Sequence, residues 1–211
     1  MLRKHSVLAL LLMLACSVFL HAEGQIFPLV LSGPLAGGYA WDTSFRASAC
    51  GMTFTPVQMD PYKIGYQRAI CPGGSFTREE LKLYSPDGSL VASAQLPASH
   101  SGSFFNFPGN AGDIIALVND NDIPVNVRVA NVVVTVPPHS GVYDVLDNIL
   151  HARPYGDTLI ESYEHTDFYV LGLRFSSAGF MIIEPEAASD PVTEPISNSN
   201  SNSGSNSCTG E

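Results

Sequence analysis

Residues 123–136 read Ile-Pro-Val-Asn-Val-Arg-Val-Ala-Asn-Val-Val-Val-Thr-Val, and this stretch decides the fold class. Valine occupies every odd-numbered position of Val125–Val129, which is the period-two pattern of a half-buried strand. In Val132–Val136 valine occupies every even-numbered position instead, so the apolar parity shifts by one residue. The stretch is long for one strand, and the shift predicts β-structure with a bulge or a bend near Asn131.

Further strand patterns lie on both sides of this stretch. They cover Ile26–Leu31, Tyr39–Ser48, Cys50–Val57, Leu81–Tyr84, Leu90–Ser93, Ser103–Phe107, Asp113–Asn119, Thr158–Glu161, Phe168–Phe175 and Gly179–Ile183. Ser85-Pro86-Asp87-Gly88 separates two of them and has the composition of a tight turn, which predicts a β-hairpin. Pro108-Gly109-Asn110 predicts another turn.

One segment has helical rather than strand spacing. Its apolar residues fall at i, i+3, i+4, i+7 and i+8, namely Val142, Val145, Leu146, Ile149 and Leu150. Ser140 is a suitable cap, and Pro154 with Gly156 ends the pattern. About ten short strands with one crossover helix and no βαβ alternation predict an all-β fold. We expect an antiparallel β-sandwich, Ig-like or jelly-roll-like, whose two sheets close over a single core.

The two ends of the chain differ in composition from the middle. Residues 1–22 carry Arg3 and Lys4, then an apolar run, then Ala22, which predicts a secretory signal peptide. An alternative is a bacterial lipobox that ends at Cys16 and would be lipidated there. Residues 23–185 are predicted to form a single domain, with no second stretch long enough to span a membrane. Residues 186–211 are Pro-rich and acidic, then Ser/Asn-rich, and predict a disordered tail.

The charge balance limits the classes of binding partner that we expect. The chain has 20 acidic and 10 basic residues and a formal charge of −10. Loss of Arg3 and Lys4 with the signal leaves 8 basic residues, and the mature charge becomes −12. A protein of this charge is a poor partner for nucleic acid, because phosphate binding requires a basic surface. We expect an unknown extracellular protein or a polysaccharide as partner.

Three cysteines follow the signal, at Cys50, Cys71 and Cys208. Export permits disulfides, so the favoured pairing is Cys50 with Cys71, both of which lie in the strand-rich part of the chain. Cys208 would then be left over in the tail, either free or paired between chains.

The order of motifs in the C-terminal half resembles a β-sandwich module found in secreted and surface proteins of environmental bacteria. The residues that carry the resemblance are residues 134–141 (Val-Thr-Val-Pro-Pro-His-Ser-Gly), residues 156–162 (Gly-Asp-Thr-Leu-Ile-Glu-Ser), residues 172–176 (Gly-Leu-Arg-Phe-Ser) and residues 179–185 from Gly-Phe to Pro. Trp41-Asp42-Thr43 and Tyr84–Gly88 match the first half of that module, whereas residues 51–80 look like an insertion. The resemblance implies an extracellular structural or adhesive module, and it implies no catalytic residues.

Oxygen-bearing side chains concentrate around one strand and its turn. Asp113, Asp120 and Asp122 are therefore candidate ligands for calcium, which prefers six to eight oxygens. The EF-hand spacing is absent, and the same residues are typical of a tight turn. Apart from this possible calcium ion, the sequence predicts no cofactor.

Aromatic residues offer a second candidate site. Tyr39, Trp41, Tyr62 and Tyr66 could form a flat face on which a sugar stacks, although such rings in a sandwich are more often core. Arg174 lies in a buried-type strand and is expected to be a paired structural arginine.

No motif predicts a catalytic site. The chain lacks a G-x-S-x-G elbow, and the acidic and histidine residues around Glu161 and His165 fit a solvated hairpin. We expect a secreted or cell-surface protein, not an enzyme, with a structural, adhesive or interaction role. A carbohydrate- or calcium-binding module is the alternative, and a hydrolase using two of the many carboxylates is a further one.

Overall fold

The computed structural model describes residues 24–46, 50–71, 78–154, 156–177 and 179–188. In chain order the strands are β1 (Gly24–Pro34), β2 (Ala40–Arg46), β3 (Gly51–Gln58), β4 (Lys63–Ile70), β5 (Arg78–Tyr84), β6 (Leu90–Leu96), β7 (Phe104–Phe107), β8 (Ile114–Asn119), β9 (Val125–Val129), β10 (Val132–Val136), β11 (Ser140–Val145), β12 (Thr158–Ser162), β13 (Tyr169–Ser176), β14 (Gly179–Ile183) and β15 (Glu186–Ala187). A five-residue helix, α1 (Leu146–Leu150), lies between β11 and β12, and a 3₁₀ turn spans Ala36–Gly38.

The predicted all-β antiparallel class is confirmed. A six-stranded sheet has the order β3-β4-β1-β2-β5-β6, a five-stranded sheet the order β10-β9-β12-β7-β15, and a four-stranded sheet the order β11-β8-β13-β14. The first half of the chain forms the six-stranded sheet, and the second half forms the other two.

The four-stranded sheet lies between the other two sheets. On β8, Ile115 and Leu117 belong to a first core, shared with the valines of β9. Ala116 from the same strand belongs to a second core, shared with Phe27 of β1. Because alternate residues of a strand point to opposite faces, both faces of this sheet are buried. The structure therefore has three layers and two main cores, where the sequence predicted two layers around one core.

The uninterrupted apolar run Ile114–Val118 is the sequence pattern that indicates this third layer. A strand with one solvent-facing side alternates apolar and polar residues, whereas a strand buried on both sides is apolar throughout. Ile115, Ala116, Leu117 and Val118 are each at most 1% exposed.

The interpretation of residues 123–136 as one bent strand is wrong. Val125–Val129 and Val132–Val136 are separate strands that pair antiparallel, with Val132 opposite Val129. Ala130 and Asn131 form the turn, and Ala130 adopts a left-handed conformation with φ of 53°. A two-residue reversal changes the parity of the valines just as a bulge would, and it keeps both sets of valines facing the first core.

The predicted helix is only half correct. Residues 140–145 form β11, which pairs with β8, and only Leu146–Leu150 is helical. Val145 precedes the first helical turn, and Ser140 lies at the start of the strand. Pairing with β8 places the first apolar residues of the pattern in the central sheet, so tertiary contacts override the helical spacing.

Several local predictions are confirmed. β5 and β6 form the predicted hairpin around residues 85–88, where Gly88 has φ of 82°. Pro108–Asn110 carry the chain from β7 in the five-stranded sheet to β8 in the central sheet. Cys50 and Cys71 form the predicted disulfide. This bond lies at the β3–β4 edge of the six-stranded sheet, and it joins Cys50, which directly precedes the segment that resembles an insertion, to Cys71 within that segment.

The predicted signal peptide with Cys16, and Cys208 with most of the predicted tail, lie outside the described residues. Glu186 and Ala187 were assigned to the tail, yet they pair with β7 as β15. No helix in the described ranges is long and apolar enough to cross a membrane.

Candidate functional site

The three predicted calcium ligands do not converge. Asp113 precedes β8 and Asp120 follows it, so about 20 Å of extended strand separates them. Asp113 is 1% exposed and pairs with Arg174, at 2.9 Å from Nε to Oδ1 and 2.8 Å from Nη2 to Oδ2. Its carboxylate is therefore occupied by a guanidinium, and the predicted calcium site is wrong as a set.

Arg174 has the structural role that the sequence predicted. Besides the two bonds to Asp113, its Nη2 donates to the carbonyl of Pro108 at 2.9 Å. The hydrogen bonds to Asp113 raise the pKa of Arg174. These contacts fix the turn between β7 and β8 against β13.

Asp120 and Asp122 lie beyond the other end of β8. Asp120 accepts a hydrogen bond from the Tyr66 hydroxyl at 3.3 Å and pairs with Arg68 at 3.3 Å. Asp122 contacts His139 Nε2 at 2.8 Å. Within the described ranges no three His, Cys, Asp or Glu side chains are placed to hold a metal ion.

The four aromatic residues do not form an exposed stacking face. Trp41 is 4% exposed and Tyr66 is 1% exposed, so both rings are core. Trp41 packs edge-on against Phe180, with ring centroids 5.0 Å apart, in the second core. Tyr39 is exposed and Tyr62 is half-buried. The predicted sugar-stacking set is therefore wrong, because the alternation along β2 directs Trp41 inward.

A different surface brings polar and aromatic side chains together. The outer face of the five-stranded sheet is opposite the first core, into which Val125, Val127 and Val129 point. Strand pairing places Arg128 of β9 between Val133 of β10 and Glu161 of β12. We call the group formed by Asn126, Arg128, Thr135, Glu161 and Tyr163 the polar sheet face.

Arg128 is the centre of the polar sheet face. Its guanidinium forms an ion pair with Glu161, and it also lies over the Tyr163 ring at 5.9 Å from the centroid. Tyr163 itself is 52% exposed to solvent. The cation–π contact and the ion pair hold the guanidinium between Tyr163 and Glu161, so we treat the ring and the charged pair as one platform.

A second chain of hydrogen bonds continues the polar sheet face. Thr135 Oγ1 donates to Asn126 Oδ1 at 2.8 Å, and Asn126 Nδ2 donates to Glu164 Oε1 at 3.0 Å. The hydrogen bond from Asn126 lowers the pKa of Glu164. The neighbouring acid, Glu161, bonds to Arg128 instead. The ring of His165, in the same turn, lies 5.4 Å from the ring of Phe104. The result is a surface that offers both donors and acceptors beside an exposed ring.

Sequence reasoning missed the polar sheet face because its members are distant along the chain. Arg128 and Glu161 are 33 residues apart and meet only through the pairing of β9 with β12. The available signal was the alternation itself, since Asn126 and Arg128 occupy the positions between inward valines.

A cleft at the β5–β6 end of the six-stranded sheet contains an unusual carboxyl group. A cavity of about 160 Å³ is lined by Arg78, Glu79, Glu80 and Gln95. Glu79 is 0% exposed, and neither of its carboxyl oxygens has a hydrogen-bond partner in the described structure. Burial raises the pKa of Glu79 to about 9, so this side chain is uncharged at neutral pH. Because Glu79 is closed to solvent, we treat it as a structural feature and not as the site.

The comparisons with known proteins assign no family. No protein-family model matches this chain, and neither the curated proteins nor the solved structures include a significant match. The resemblance to a bacterial surface module therefore stays a prediction.

Proposed function

We propose that this chain is an exported, non-enzymatic protein with an adhesive role, and that its polar sheet face binds a neutral polysaccharide. The observation that carries the proposal is the platform of Arg128, Glu161 and the exposed Tyr163 ring, on a sheet face that the described residues leave uncovered. Sugars present hydroxyl groups that both donate and accept, together with apolar ring faces that stack on aromatic side chains.

The chemistry of the platform fits a neutral ligand. Arg128 is neutralised by Glu161, and Asn126 and Thr135 add uncharged donors and acceptors. The chain carries a formal charge of −10, which repels anionic polymers. A neutral glycan meets neither this repulsion nor the cost of breaking the Arg128–Glu161 pair.

Export is supported by the disulfide. The Cys50–Cys71 bond lies in the strand-rich body, and disulfides of this kind persist in oxidising compartments outside the cytosol. The predicted signal peptide supports the same location.

The non-enzymatic part of the proposal is supported by the bonding of the charged groups on the platform. Glu161 and Glu164 accept hydrogen bonds from Arg128 and Asn126 and are held as structural acceptors. A glycoside hydrolase instead needs two carboxyl groups that face each other across a bound sugar.

The proposal is tested by binding to insoluble cellulose, xylan and chitin in a sedimentation assay, followed by titration with soluble fragments of any polymer that binds. We expect Tyr163→Ala to weaken binding at least about tenfold, since loss of one stacked ring costs more than about 1.4 kcal/mol. Tyr39→Ala is the matched control, because Tyr39 is exposed to a similar extent, at 40%, and lies on the other half of the molecule.

Two further arms separate the alternatives. Addition of a chelator leaves binding unchanged if the platform acts alone, whereas a loss of binding would favour the calcium hypothesis. Release of soluble sugar during the assay would contradict the non-enzymatic role. Equal binding by Tyr163→Ala and the unaltered protein, or no binding to any polymer, would remove the polar sheet face as the site.

A further inference from the structure

The edges of the three sheets are protected in different ways, and among the described strands one edge lacks such a device. β3 contains Pro56 and a register shift beside it, and β15 is two residues long and follows Pro185. β6 and β14, the edges of neighbouring sheets, pack against each other, and β11 packs against β3 and β4. Such devices keep the unpaired backbone of an edge strand from joining another chain.

β10 contacts α1, β8 and β11 on the side of the first core, but its sequence and its pairing differ from those of the described edges above. It is the last strand of the five-stranded sheet and reads Val-Val-Val-Thr-Val, without proline or charge. Its pairing with β9 is unbroken over five residues. A regular, uncharged, β-branched edge is the type of strand that accepts a further strand by main-chain hydrogen bonds.

The hydrogen-bonding direction of the neighbouring strand shows which groups of β10 point outward. Ala130 N donates to Leu159 and Asn126 O accepts from Tyr163, so the even-numbered residues of β9 bond toward β12. Odd-numbered residues of β9 consequently bond to β10, and their partners there are the residues at 132, 134 and 136. The N–H and C=O groups of Val133 and Thr135 therefore point away from the sheet.

We propose that β10 pairs antiparallel with β10 of a second copy of this chain, across a two-fold axis, so that two five-stranded sheets become one continuous sheet. Antiparallel pairing about Val134 places Val133 opposite the partner's Thr135, and each such pair exchanges two hydrogen bonds. The arrangement is self-complementary, as a two-fold interface requires.

Charge opposes contact between two copies less at this edge than over the rest of the surface. Two copies of a chain with a formal charge of −10 repel each other over most of their surface. β10 carries no charge, and on the adjacent strand Arg128 is already paired with Glu161. The cross-strand pairs would all be between β-branched residues, which stabilise antiparallel sheets.

Apolar burial supports the same arrangement. Val133 is 50% exposed on the outer face. Val132 and Val134 pack only partly buried against the first core, so a second β10 would cover their remaining exposed surface and extend the core across the axis.

The first test is the mass of the mature protein in solution, measured by light scattering and sedimentation over a range of concentrations. We expect a dimer that Val133→Pro converts to a monomer, because proline removes an outward N–H and leaves the bonds to β9 intact. Val133→Lys is expected to have the same effect by charging the edge. Leu159→Lys is the matched control, since Leu159 lies in an interior strand of the same sheet and is 38% exposed.

The second test is covalent trapping in a Cys208→Ser background. Residues directly opposite each other in a non-hydrogen-bonded antiparallel pair have Cα atoms about 4.5 Å apart, within the range of a disulfide. Val134→Cys is therefore expected to give a covalent dimer on oxidation, and Leu159→Cys is expected to give none. A monomer at all concentrations, or a dimer that persists in both Val133 variants, would overturn the proposal. The polysaccharide assay is read out separately, so failure of one proposal leaves the other standing.

Discussion

Two regions of the molecule, the ends of β8 and the strands β4 and β5, differ in how they treat buried polar groups. At the ends of β8, buried Asp113 accepts two hydrogen bonds from Arg174 and one from the backbone of Asn110. Buried Asn119 donates to the carbonyls of Ile123, Val136 and Pro137 and accepts from Asn121. On β4 and β5, Gln67 and Glu79 are similarly buried, yet the amide oxygen of the first and the carboxyl oxygens of the second have no partner in the described structure.

This difference indicates which of the two regions can be altered without loss of stability. A buried polar group with all its bonds made is costly to remove, because its partners are then left unsatisfied. A buried group without partners already bears the desolvation cost, and its replacement should be neutral or stabilising. The variants below test the contrast by unfolding in urea, followed by the fluorescence of Trp41, the single tryptophan, which lies in the second core.

Asp113→Ala is expected to have the largest effect. It removes the carboxylate that accepts from the guanidinium of Arg174 and from the N–H of Asn110, and loss of one partner of a buried pair costs about 3–5 kcal/mol. Because the Arg174 side chain is 28% exposed and can rehydrate, we expect a free energy of unfolding lower by about 3 kcal/mol. Asp122→Ala is the control, since the Asp122 side chain is 96% exposed and should change stability by less than about 0.5 kcal/mol. Equal losses in both variants would contradict the contrast.

Glu79→Gln is expected to act in the opposite direction and to depend on pH. Burial raises the pKa of Glu79 from 4.5 to about 9, so between these values the folded chain keeps a proton that the unfolded chain releases. The unfolding free energy of the unaltered protein should therefore fall by up to about 1.4 kcal/mol per pH unit across this window. The variant lacks this titration, and at pH 6.5 it should be more stable by about 3 kcal/mol, with little difference at pH 4. A gain of the same size at both values would show that Glu79 does not titrate.

Asn119→Ala should destabilise by about 2 kcal/mol, because three carbonyl groups in the turns after β8 and β10 lose their donor. The result is measured by the same unfolding curve. Asn148→Ala is a suitable control, since its amide makes one exposed hydrogen bond, to Asp144. Similar stability of the two variants would mean that water replaces the Asn119 amide.

Gln67→Leu is expected to have the smallest effect, within about 1 kcal/mol and toward greater stability. The substitution removes a buried acceptor that lacks a partner and adds apolar surface beside Phe27, its neighbour across β1 and β4. A loss comparable with that of Asn119→Ala would show that the Gln67 amide is bonded after all, and would narrow the contrast to Glu79.

Local chemistry was predictable from the sequence, and long-range placement was not. The hairpin at residues 85–88 follows from its proline, aspartate and glycine, which act within four residues. The reversal at Ala130 and Asn131 lacks glycine, so its parity change was open to interpretation as a bulge.

The candidate sites show the same limit. Nearness along the chain suggested a shared role for Asp113 and Asp120, but an extended strand separates its ends. The pairing of Arg128 with Glu161 depends on which strands are neighbours, and periodicity does not determine that. The burial of Glu79 was indicated by strand alternation, which places it on the same face as the buried Leu81. The sequence does not distinguish this one position from the other acidic residues, of which the chain has 20 in all.

The central position of the four-stranded sheet has a consequence for hydrogen exchange. β8 and β13 lie in its interior, with hydrogen-bonded neighbours on both sides and an apolar layer above and below. Their amide protons have no route to solvent through local fraying, so they should exchange with deuterium only when the whole fold opens. The slowest amides would therefore report the free energy of global unfolding, and removal of either outer layer would expose them.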